Sequence, residues 1–104
     1  MFTPEPQCIL RFAADRKSRL REAALIIAGK KKPRDSRAIA ERIAVDATDD
    51  WTIRMRAAEA AIALGSERDF RPLFLEAAKP ANRDRWARAH AIRRLGRIVG
   101  IGVL

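Results

Sequence analysis

Few residues of this chain are equipped for bond chemistry. His90 is its one histidine, Cys8 its one cysteine, and Asp49-Asp50 its one adjacent pair of carboxylates. A metal site needs several His, Cys or carboxylate ligands at set spacings, and no two-His or multi-Cys pattern is present. A catalytic nucleophile needs a base within reach, and no such set is visible. Asp49-Asp50 precedes an apolar run, where a carboxylate is explained as a helix cap. The glycines sit at the ends of apolar segments rather than in a phosphate-cradling loop. Enzymatic chemistry, a metal and a cofactor are therefore not expected.

What the chain has in quantity is cationic nitrogen. Lys and Arg number 22 against 13 Asp and Glu, a net charge of +9. The excess is uneven: −1 over residues 1–10, +7 over 11–34, −2 over 35–82 and +5 over 83–104. Such an excess attracts nucleic acid or an acidic protein surface, and it also keeps a small protein soluble. At 100° per residue, Ala87, Ala91, Leu95 and Ile98 fall on one stripe, expected to face the core. Arg83, His90, Arg93, Arg94 and Arg97 fall on the other side with Trp86 among them. An aromatic inside a basic face suits backbone binding with base stacking, and guanidinium forks suit phosphate or carboxylate. The structural alternative is that Trp86 packs under the preceding hairpin while the arginines are solvated.

These side chains must be carried by helices. Tyr is absent, alanine is abundant and β-branched runs are short, so the class is all-α. Pro4 and Pro6 open a short helix through Ile9, Leu10, Phe12 and Ala13. The second helix runs to Ala28, with Leu20, Ala23, Ala24 and Ile27 on the i, i+3, i+4, i+7 template. Lys30-Lys31-Lys32-Pro33-Arg34 is a loop at its C-terminus. Asp35 or Ser36 caps a third helix with Ile39, Ala40, Ile43 and Ala44 inward. The fourth, Trp51 to Leu64, is apolar over most of its circumference and belongs at the centre of the fold. Ser66-Glu67-Arg68-Asp69 reads as a variant capping box. Pro72 begins a fifth helix carrying Leu73, Phe74, Ala77 and Ala78, which Pro80 stops. The sixth runs from about Asn82 to Leu95 or Ile98. Gly29, Gly65 and Gly96 close the second, fourth and sixth helices, as left-handed C-terminal residues do. Their spacing lies in the range of a helical solenoid.

The last two helices carry a family resemblance. Phe70-Arg71-Pro72-Leu73-Phe74-Leu75-Glu76-Ala77-Ala78 is similar to the first helix of a HEAT repeat of the short bacterial, phycobilisome-lyase-related form. Ala87-Arg88-Ala89-His90-Ala91-Ile92-Arg93-Arg94-Leu95-Gly96-Arg97-Ile98 resembles its second helix. The middle hairpin resembles the pattern next best, with its arginine slipped by one residue, and the first hairpin resembles it only in its second helix. The resemblance implies one domain over residues 1–104, an α-α superhelix of about three hairpins and six helices, working as a protein-interaction scaffold. It also implies that Arg21, Arg56 and Arg88 pair with aspartates of neighbouring repeats, for which Asp15, Asp49, Asp50 and Asp84 are available.

If the second helices line a concave face, Arg16, Lys17, Arg19 and Arg54 join Arg93 and Arg97 there, with Lys30, Lys31, Lys32 and Arg34 at an edge. The expected role is an adaptor docking an acidic partner; the alternative is a nucleic-acid binder using the same residues. The apolar tail 99–104 lacks a polar cap, and a second copy of the chain would suit it. A lone cysteine, no long apolar span and no signal-peptide layout at the N-terminus make the cytoplasm the expected compartment.

Overall fold

The computed structural model describes Asp15 and residues 19–31 and 36–98, with Lys31, Arg97 and Ile98 described as backbone only. Among these residues the protein is all-α, with five helices: α1 (Arg21–Lys31), α2 (Arg37–Val45), α3 (Trp51–Ala63), α4 (Arg71–Ala77) and α5 (Arg85–Ile98). The helix expected through Ile9 and Phe12, together with Cys8, lies outside the described residues, as does the tail 99–104. The chain divides into two compact units, residues 1–68 and 69–104.

In the first unit α3 packs against both α1 and α2. Ile53, Met55, Ala57, Ala58, Ala60 and Ala61 are buried around most of its circumference, as its composition predicted. Alanines let neighbouring backbones approach, and Gly29 of α1 faces α3. A Cβ added there would lie 3.5 Å from the Ala60 Cα and 3.7 Å from the Ala63 Cβ. Gly29 lies against the end of α3 while Glu22, about two turns earlier, pairs with Arg56, so α1 and α3 run in the same direction. The α2–α3 pair is antiparallel. Arg54, near the start of α3, donates to the Ala44 carbonyl near the end of α2, and Ser66, past the end of α3, donates to Glu41 in α2.

The core of α1 is phased differently from the expectation. Arg21, Ala24, Leu25 and Ala28 are buried, whereas Leu20, Ala23 and Ile27 are exposed. Both sets fit the helical template, but only the first places Leu25 and Ala28 on α3 beside Gly29. Its cost is a buried arginine, which Asp49 offsets.

The glycines also divide. Gly65 alone among the described glycines has a positive φ, 86°. The Ser66 N–H donates to the Ala61 carbonyl at 2.9 Å and the Gly65 N–H to the Ile62 carbonyl at 3.0 Å, the paired bonds of a Schellman C-cap. Gly29 and Gly96, expected to close helices, instead lie inside α1 and α5. Gly29 faces α3, where an added Cβ would meet ordinary contacts.

In the second unit α4 packs on α5. Pro72 occupies the first turn of α4, where its missing N–H costs nothing. Leu73, Phe74 and Ala77 are buried, with Ala87 and Ala91 buried on α5. The expected capping box at Ser66 is not formed. Ser66 Oγ accepts from the Arg68 N–H at 3.2 Å in a local turn, and α4 begins only at Arg71. Nor does Ser36 cap α2: it is buried, with helical φ and ψ and no side-chain bond to the helix start. Asp84 does cap, its Oδ1 accepting from the Ala87 N–H at 3.0 Å, so α5 begins after Asp84 rather than at Asn82.

Candidate basic docking surface

Sorting the arginines by their partners separates those that build the fold from those that face solvent. Arg21 is nearly buried and forms a two-pronged pair with Asp49: Nη1 donates to Oδ1 at 2.8 Å and Nη2 to Oδ2. This hydrogen-bonded pairing raises the Arg21 pKa above its ordinary value against the opposing effect of burial, with further help from the charges of Asp49, Asp50 and Asp15. The pair links the start of α1 to the turn before α3. Asp49 Oδ1 also accepts from the Asp50 N–H at 2.8 Å, so this carboxylate organises the turn as well. Asp50, expected as a cap, makes no side-chain capping bond to α3.

Arg56 pairs with a glutamate: its Nε donates to Glu22 Oε1 at 3.2 Å. Arg88 donates to backbone carbonyls within its own hairpin, Pro80 at 3.2 Å and Asn82 at 3.1 Å. Asn82 completes that connection, its Nδ2 donating to the Ala77 carbonyl at 2.8 Å at the end of α4.

Arg54, expected on the docking surface, is corrected by its surroundings. It is buried, its Nε donates to the Ala44 carbonyl at 3.0 Å, and its guanidinium lies 4.3 Å from the Trp51 ring centroid. The last carbonyls of a helix lack intrahelical partners and form its negative end, so Arg54 acts as a cationic cap on α2 supplied by α3. Arg54 and Arg88 are each the fourth residue of the second helix of a hairpin, and each reaches back to carbonyls before that helix. Sequence spacing from the glycines paired Arg88 with Arg56; spacing from the helix starts pairs it with Arg54.

Several cations on and before α5 stand outward. α5 carries five arginines and no acidic residue. Arg85 and Arg93 are exposed and form no ion pair among the described residues, and exposed Arg83 precedes the helix. Arg94 is half-buried on the side of Ala87 and Ala91, not on the outer face expected for it. Trp86 and His90, one helical turn apart, are stacked with ring centroids 5.0 Å apart and planes at 16°. Both are half-buried, and Arg93 continues the same stripe at i+7 from Trp86. One face of the Trp86 indole is therefore already covered by imidazole.

In the first unit Arg19 and Lys30 are exposed. Arg16, Lys17, Lys32 and Arg34 lie outside the described residues, and the side chains of Lys31 and Arg97 do too. Arg71, missed as a paired residue, is held by Asp69 through Nε at 2.9 Å and Nη2 at 2.8 Å. The bonds from Arg71 hold the Asp69 carboxyl down at about 2. Among the described residues no group of three or more His, Cys, Asp or Glu side chains could hold a metal ion. No described helix is long and apolar enough to cross a membrane.

Comparison with protein-family models, with curated proteins and with solved structures gave no match to this chain.

Proposed function

We propose that the chain is a short HEAT-like array working as a non-enzymatic adaptor in the cytoplasm, docking an acidic protein partner on the outer face of α5. One observation carries this reading. α5 has five arginines and no carboxylate, and its exposed Arg85 and Arg93 have no internal counter-ion among the described residues. The arginines in the interior of the first unit are instead engaged by carboxylates and carbonyls. The array reading is supported by α1 and α3, which occupy corresponding repeat positions and lie side by side in one direction. The adaptor role is favoured over nucleic acid by the Trp86–His90 stack, which occupies an indole face that a base would otherwise use.

The test is a titration of the full chain with a fluorescent polyglutamate peptide and, separately, a random-sequence duplex, over a salt series. The peptide is expected to bind and to lose at least about tenfold in affinity when Arg85→Glu and Arg93→Glu are combined. Duplex binding that persists near 0.15 M salt and falls steeply with further salt would replace this reading with nucleic-acid binding. Binding of neither probe would remove both.

A further inference from the structure

The geometry points to a second docking surface, the outer face of α1, fitted to an amphipathic helix whose apolar ridge is flanked by acidic side chains. α1 turns Arg21, Ala24, Leu25 and Ala28 inward, which leaves Leu20 55% and Ile27 40% exposed, with exposed Ala23 between them. The Ala24 N–H donates to the Leu20 carbonyl at 2.8 Å, so the helical register already holds at Leu20. Positions i, i+3 and i+7 then share an arc of about 60° and form a straight ridge, the shape that seats in the groove of another helix. The other exposed large hydrophobics, Val45, Leu75 and Ile92, stand singly on α2, α4 and α5. Isolated exposed hydrophobics are ordinary, whereas a row on one helix face marks a contact.

Charge selects the occupant. Arg19 and Lys30 are exposed beside the two ends of the ridge and form no ion pair among the described residues. The single carboxylate of α1, Glu22, lies on another flank and pairs with Arg56. A partner helix therefore meets two cations that have no counter-ion among the described residues, and is matched by acidic groups at both ends of its own ridge. A second copy would bring the same cations against these in a two-fold contact. Residues 1–14 offer one carboxylate, Glu5, offset by Arg11.

The test uses the full chain with isotope-labelled leucine and isoleucine methyls and two designed helical peptides, each with leucines at i, i+3 and i+7. One peptide is flanked by glutamates and the other by lysines. The glutamate peptide is expected to shift the Leu20 and Ile27 methyl signals. Ile27→Gln, an exposed change that should leave melting unaltered, is expected to weaken it by at least about tenfold. Arg19→Glu with Lys30→Glu should reverse the preference toward the lysine peptide. Binding without shifts at Leu20 and Ile27, or undiminished in Ile27→Gln, overturns the proposal. So do methyl contacts from these residues to 1–14 in the free chain, which would make that segment the occupant. Self-association abolished by Ile27→Gln would likewise overturn it by making a second copy the occupant. Arg85 and Arg93 lie in the other compact unit, so their charge reversal should leave this site intact and the two proposals fail separately.

Discussion

Arginine has two physical roles here, and the difference lies in what each guanidinium meets. Arg21 sits with 7% of its side chain exposed and its partner Asp49 with 5%. A nearly dry ion pair contributes little relative to a well-packed apolar pair, but losing one partner strands the other. Asp49→Ala is expected to destabilise the protein by about 3 kcal/mol, while Arg21→Met with Asp49→Leu should recover much of that loss. Urea unfolding of the three proteins checks it. A loss below about 1 kcal/mol in Asp49→Ala would place the pair among ordinary surface contacts. Arg85 and Arg93, which are exposed, should change stability by no more than about 0.5 kcal/mol when reversed. That contrast makes them clean probes of docking.

Helices α2 and α4 were legible from their apolar spacing, because each offers one face that can be buried, and α3 because it is apolar over most of its circumference. Ala40, Ile43 and Ala44 on α2, and Leu73, Phe74 and Ala77 on α4, are buried as expected. In α1 two helical templates overlap by one residue. The template that packs begins with Arg21, which a hydrophobicity reading rejects unless it knows of Asp49, 28 residues away. Arg54 was misread for the same reason: its charge suggests solvent, while its partners are the Ala44 carbonyl and the Trp51 ring. Local spacing cannot supply such partners. The glycines show one residue type in two backbone settings, and one substitution should give opposite signs at the two sites. At Gly29 an added Cβ meets Ala60 at ordinary contact distance, so Gly29→Ala should stabilise by roughly 0.5–1 kcal/mol through helix propensity. At Gly65 there is space, but the left-handed φ of 86° penalises any side chain. Gly65→Ala should therefore cost about 1 kcal/mol. Thermal unfolding of both variants checks the pair of signs, and equal signs would refute the assignment of distinct roles.

At the scale of the whole molecule, charge and core are distributed in opposite senses. Residues 1–68 carry a net charge of +4 and hold α3, which is covered by both α1 and α2. Residues 69–104 carry +5 on a shorter stretch, with a core built from a seven-residue helix and one face of α5. Like charge concentrated on a small core works against compactness, and short helices depend on packing for their stability. The second unit should therefore open at lower free energy than the first, and its opening should respond more strongly to salt. Screening between exposed charges becomes effective as the Debye length falls from about 30 Å at 0.01 M to about 10 Å at 0.1 M. Native-state hydrogen exchange tests both points in one experiment. Amides of Ala57 to Ala61 in α3 should exchange slowest at any salt. Amides of α5 should exchange faster at 0.01 M and slow markedly at 0.1 M, while those of α3 change little. A common protection in both units, moving together with salt, would mean that the chain opens as a single cooperative body. Charge on α5 would then bear on partner binding alone.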